Sequence, residues 1–173
     1  MKELVQAIEL HKLEVLLSNV ERRAEAATSL EQKARVHNLA GDLCFDAHQP
    51  ERALHYYEIA INTYIRADQY EHAIGMCKKL IALTPQTVHV RYTLAWLTAT
   101  RGLISEAKIA IEEYVRIADA AGLTRLARKH LRTLAEIATA AEIVDAIHAS
   151  VGREVTEEWL STELDRMQGK MTA

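Results

Sequence analysis

His37 to Ala60 reads HNLAGDLCFDAHQPERALHYYEIA, and Arg91 to Tyr114 reads RYTLAWLTATRGLISEAKIAIEEY. Laid side by side, Ala40 falls with Leu94, Gly41 with Ala95, Ala53 with Ala107, and Tyr57 with Ile111. Each stretch gives a small residue, a turn, an alanine and then a bulky residue. Self-similarity of this kind marks stacked supersecondary units. The small residue of the first helix lets the second approach closely. The alanine of the second admits the next unit, and the bulky residues fill what remains.

Helix signals extend outward in both directions. Leu4, Ile8, Leu13, Leu16, Leu17, Val20 and Ala24 recur at helical spacing, which gives one helix over 3–27 or two shorter ones broken near His11. Ser29-Leu-Glu-Gln32 has the form of a capping box and starts a second helix to about Ala47. Pro50 suits the first position of a third, to Ala67, because its missing amide has no partner to lose there. Asp68 is placed to cap a fourth, which Thr84-Pro85 ends, and a fifth runs to Thr100. Gly102 and Gly122 permit tight turns into a sixth (105–121) and a seventh (124–138). An eighth runs to about Val151, closed by Gly152, and an amphipathic stretch from Thr156 carries Trp159, Leu160, Leu164 and Met167 on one side.

The bulk numbers agree. Among 173 residues only six are glycine and two are proline, too few for an architecture of hairpins. Neither a Pro/Gly/Ser-rich linker nor a low-complexity tract divides the chain. The expectation is therefore a single all-α domain over 1–173: an α-solenoid of antiparallel helix pairs with about eight or nine helices. It comprises N-terminal helices in 1–28, a repeat region over 30–151, and a capping helix at 155–169. The net charge of −3 gives no general basis for phosphate neutralisation. Cys44 and Cys77 do not make a disulfide framework, which points to a reducing, cytoplasmic setting. The N-terminal stretch is interrupted by Glu3 and Glu9, unlike a signal peptide, and no stretch reaches the ~20 apolar residues of a membrane span.

With Gly41, Ala53, Tyr57 and Ala60 in one copy, and Ala95, Gly102, Ala107 and Ile111 in another, the chain resembles the tetratricopeptide repeat (TPR) family over about residues 34–121. That family repeats a 34-residue helix-turn-helix unit. Tyr114 departs from the small residue the pattern wants, and a partial copy surrounds Tyr70, Ala73 and Cys77, closing at Pro85. A second departure is that Ala53 and Ala73 both look like the alanine of a second helix with one turn between their helices. The helix from Pro50 must then serve two units, and its layer is left open.

The resemblance implies a groove, lined by first helices, that takes a protein segment. It would present His89, Tyr92, Trp96, Ala99 and Thr100 in the later copy, and Arg35, Asn38, Asp42, Phe45 and Asp46 in the earlier one. Trp96 has a competing role as ordinary packing. Asp42 and Asp46 oppose the grip on a C-terminal carboxylate found in some members. Arg125, Arg128, Lys129 and Arg132 form a basic stripe opposite Leu123, Leu126, Leu131 and Leu134; it serves either a solvated face or an acidic or nucleic-acid partner, the latter disfavoured. Trp159, Leu160 and Leu164 either cap the core or contact a partner. No histidine pair at i, i+4, HExxH, CxxC, phosphate loop or GxSxG elbow is present, so neither metal, cofactor nor catalysis is expected. The function implied is a protein-interaction adaptor. A client-specific chaperone and a nucleic-acid binder are the alternatives, and homo-oligomerisation is left open.

Overall fold

The computed structural model describes residues 2–151, with the side chains of 2–7, 9 and 151 excepted. The described residues are all-helical: α1 (Lys2–Glu25), α2 (Leu30–Asp46), α3 (Pro50–Arg66), α4 (Tyr70–Leu83), α5 (Val88–Thr100), α6 (Ile104–Ala120), α7 (Thr124–Ile137) and α8 (Ala141–Val151). They fall into two compact units, residues 1–85 and 86–173. In the first, α1 packs on α2, α2 on α3, and α3 on α4. In the second, α5 packs on α6 and α7, and α8 covers α6 and α7. Within each unit, helices adjacent in sequence are adjacent in space, the arrangement that short connections enforce.

Four of those connections are one device used repeatedly. His48, Asp68, Gly102 and Gly122 all have positive φ, between 56° and 72°. The residue after each donates its amide back across the turn: Gln49 to Cys44, Gln69 to Tyr64, Leu103 to Thr98 and Leu123 to Ala118, at 2.8–2.9 Å. This is the Schellman ending, in which a left-handed residue reverses the chain and satisfies the last carbonyls. The anticipated Asp68 cap is therefore corrected. Asp68 closes α3 in the left-handed region, its carboxylate accepts from the Tyr70 hydroxyl at 2.8 Å, and α4 starts after Gln69 with no side-chain cap. Ser29 does cap α2, accepting from the Gln32 amide at 3.1 Å. Gln32 reaches back one residue farther than a capping box requires, to the amide and hydroxyl of Thr28.

The left-handed residues also reveal the period. From 48 to 102 and from 68 to 122 the step is the same, 54, as it is between the two stretches that align in sequence. The helices α3 and α6 are both 17 residues long, and α4 and α7 both 14. Thus α2–α3–α4 and α5–α6–α7 are two copies of one three-helix motif. This resolves the closeness of Ala53 and Ala73: α3 packs against α2 on one side and α4 on the other.

The small residues do what their size suggests. Ala53, Ala60, Ala73, Ala95 and Ala107 are buried. At Gly41 a Cβ would stand 2.5 Å from Cδ1 of Tyr57, so the tyrosine ring lies directly on the α2 backbone. In the second copy the buried Ala95 and Ile111 occupy the places of Gly41 and Tyr57.

Candidate functional site

Equivalent places in the two copies carry different chemistry. In the first, the ring of Tyr57 is buried (1% exposed) and its hydroxyl donates to Asp42 at 2.6 Å. Burial and that carboxylate push the phenol pKa up, so the proton stays on oxygen. Lys79 of α4 stands 4.6 Å over the same ring and donates to both Asn38 (3.0 Å) and Asp42. Of the residues the sequence singled out, Asn38 and Asp42 therefore meet, with Lys79 as the member that sequence reasoning missed. The only sequence signal for it was the face that His72, Gly75 and Lys79 share at helical spacing. The constellation is internally satisfied: the cation that could grip a carboxylate is held by Asp42. Phe45, Arg35 and Asp46 are exposed, and Arg35 pairs with Glu31 at 2.6 Å on its own helix.

In the second copy the places of Asn38 and Asp42 are taken by Tyr92 and Trp96, and that of Met76 by His130. Tyr92 and His130 stack with centroids 4.2 Å apart, joining α5 to α7. Beneath them lies Tyr114, fully buried, 5.4 Å from Tyr92 by centroid, with its hydroxyl 2.7 Å from His130 Nδ1. Burial raises the Tyr114 phenol to about 12, while burial and then Lys129 hold the His130 imidazole below its ordinary value. Tyr114 therefore donates, Nδ1 accepts, and the imidazole proton sits on Nε2. Tyr114, which departed from the small-residue pattern, fills its space with a ring and aims its one polar atom at α7.

Trp96 and Tyr92 are half-buried against the core of this unit, Thr100 is half-buried, and His89 is exposed. These four occupy the less buried side of α5. Ala99 does not join them, a correction: it is fully buried in the core of this unit, where a side chain this small lets neighbouring helices close in. On α7 the apolar side expected opposite the cations is also corrected. Arg125, Arg128, Lys129 and Arg132 are exposed, but the buried side is Ala127, Leu131 and Leu134. Leu123 ends in the turn, and Leu126 is 42% exposed. Leu126 shares its face with His130, Thr133 and Ile137 (39% exposed), so an apolar shoulder runs beside the Tyr92–His130 stack, with Lys129 and Arg125 on its other flank. Trp159, Leu160 and Leu164 lie outside the described residues.

Chemically, the face offers aromatic rings, exposed aliphatics and cations. Among the described residues no group of three His, Cys, Asp or Glu side chains could hold a metal ion. No buried side-chain nitrogen or oxygen among them lacks a hydrogen-bond partner. No helix there is long and apolar enough to cross a membrane. No family model, curated protein or solved structure matches the chain. Any functional reading rests on this geometry.

Proposed function

We propose that the chain is a non-enzymatic interaction adaptor, tetratricopeptide-like in its helix pairing, that takes a partner protein segment on the α5/α7 face. The observation that carries this reading is the Tyr92–His130 stack bordered by half-buried Trp96 and by exposed Leu126 and Ile137. Rigid aromatics bring large contact area at little rotamer cost, and they are the residues on which binding energy concentrates. An apolar segment with acidic flanks fits best, since its carboxylates would meet Lys129 and Arg125. The first copy is a poorer candidate, because Asp42, Lys79 and Asn38 already satisfy one another. The buried, unpaired Cys44 and Cys77 support a reducing, cytoplasmic setting.

Selection from a displayed peptide library, followed by calorimetry on the enriched peptides, tests the proposal. Wild type should enrich apolar–acidic sequences, and Tyr92→Ala with Trp96→Ala should abolish their binding while circular dichroism stays helical. Equal binding of the same peptides by the variant refutes the reading. Oligonucleotide binding that collapses with Arg128→Glu plus Arg132→Glu would replace it with a nucleic-acid one.

A further inference from the structure

Tyr92, Tyr114 and His130 differ from the first copy as a set. One 54-residue step earlier stand Asn38, Ala60 and Met76, with Ala60 and Met76 buried between the same left-handed turns. The framework builds without a histidine at this place, so the fold alone does not account for one.

Packing gives that histidine a fixed direction. Its ring lies on Tyr92, 24° from parallel, and its Nδ1 accepts from the Tyr114 hydroxyl at 2.7 Å. The neutral ring then carries its proton on Nε2, which points away from Tyr114. No described group accepts from Nε2, and no buried side-chain nitrogen among the described residues lacks a partner. This donor is therefore open to solvent, on the flank of α7 that exposed Leu126 occupies one turn earlier. The titratable groups against the ring are the Tyr92 phenol from α5, the Tyr114 phenol from α6 and, on α7 itself, the Lys129 ammonium. Burial keeps both phenols protonated, so these surroundings are neutral or positive. An oriented N–H beside a cation suits an anionic oxygen better than a carbonyl, because a charge-assisted hydrogen bond is about twice as strong as a neutral one.

We infer that His130 is the specificity-determining residue of the α5/α7 face: its Nε2–H donates to a carboxylate of the bound segment, with Tyr114 as the positioning residue that fixes the proton there. This rests on the partner reading above and names the group of the partner that is read. A carboxylate at Nε2 also stabilises the imidazolium. Binding then draws a proton from solvent onto Nδ1, and the Tyr114 hydroxyl turns from donor to acceptor. Proton and segment tighten each other's binding, so affinity is lowest above the pKa of bound His130 and highest below that of the free protein.

Two probes test this: a synthetic apolar peptide with two glutamates, whose carboxylates stay ionised above about pH 5, and its glutamine twin. Imidazole nitrogen NMR of the free protein should show the Nε2–H tautomer. The glutamate peptide should raise the proton affinity of His130 about tenfold, and so bind about tenfold tighter below the imidazole pKa than above it. The glutamine peptide should do neither. His130→Gln keeps an oxygen for Tyr114 and a neutral donor outward. It should stay helical, keep the weaker high-pH affinity and lose the pH dependence. Three results overturn the inference: a proton on Nδ1 in the free protein, a His130 titration indifferent to the glutamate peptide, or a pH dependence that survives His130→Gln. Perturbed Tyr92 and Leu126 resonances with an unmoved His130 titration sink this inference alone. A His130 response that persists in Tyr92→Ala with Trp96→Ala, at unchanged affinity, sinks the aromatic partner face and leaves the carboxylate contact standing.

Discussion

The same substitution at two glycines of one unit should change stability in opposite directions. Gly41 and Gly75 are both interior to helices, where alanine is intrinsically better by about 1 kcal/mol. At Gly75 a Cβ meets nothing within 4 Å, so Gly75→Ala should realise that gain. Its counterpart in the second copy is Lys129, whose side chain is exposed, as room at this position implies. At Gly41 the new carbon would stand 2.5 Å from the Tyr57 ring, and ordinary contact requires the ring to retreat by about 1 Å. The ring has nowhere to go: it is buried, its hydroxyl is bound to Asp42, and Lys79 stands over its face. Overpacking of a fixed core group costs about 1–3 kcal/mol, toward the upper end here. Net of the propensity gain, Gly41→Ala should lose about 1–2 kcal/mol. In urea, with a slope of about 1–3 kcal/mol per molar, the midpoint should fall by roughly 0.5–1 M for Gly41→Ala and rise by about 0.5 M for Gly75→Ala. The second copy supplies a rescue. Tyr57→Ile in the Gly41→Ala background rebuilds the Ala95–Ile111 pairing, and should couple favourably with it in a double-mutant cycle. Gly41→Ala as stable as wild type, or a cycle without coupling, would refute the close-approach argument.

Other expectations follow from the buried titratable groups. Because burial and Lys129 depress the folded pKa of His130, the unfolded chain binds a proton near pH 6.5 that the folded chain takes up only at lower pH. Stability should therefore be full above that pH and decline as pH falls through the folded pKa; His37, lowered mainly by burial, adds in the same sense. An NMR titration that puts His130 above 6.5 contradicts the first statement. Tyr114→Phe removes the donor to Nδ1, so it should raise the His130 pKa and cost about 1 kcal/mol by urea denaturation. The thiols of Cys44 and Cys77 are buried, and burial raises the latter to about 12. Both should resist a thiol reagent in the folded protein and react on unfolding, and fast labelling at neutral pH would contradict that placement.

The fold was legible wherever backbone chemistry decides. Pro50, Thr84-Pro85, Gly102 and Gly122 each mark a helix boundary within a residue or two, because each limits or frees φ. Asp68 was not legible in the same way. Aspartate is both a good helix cap and one of the few residues that tolerates the left-handed region, and the second property governs here. His48 does the same work with no compositional signal at all. Leu126 defeated the amphipathic reading because it sits at the edge of the apolar arc: the core needs Ala127, Leu131 and Leu134, and nothing in the spacing says how wide the covered arc is.

The candidate face was half legible for a reason that bears on what it does. Tyr92 and Trp96 stood out as aromatics on a first helix of the repeat, a property local to α5. His130 and Lys79 act across helices, and their partners are fixed only once α7 lies on α5 and α4 on α2. The 54-residue step is what connects the two kinds of information. Positions held by Asn38, Asp42 and Met76 in one copy are held by Tyr92, Trp96 and His130 in the other. Since both copies keep the same turns and buried alanines, the framework does not require those residues to differ. One copy closes its face with an internal ion pair, whereas the other leaves rings and aliphatics beside cations. That asymmetry on a shared framework is the reason to look for a ligand at α5 and α7 rather than at α2 and α4. Grafting Tyr92 and Trp96 onto positions 38 and 42 should transfer no peptide binding, because Lys79 and Gly75 stand where that face has Thr133 and Lys129.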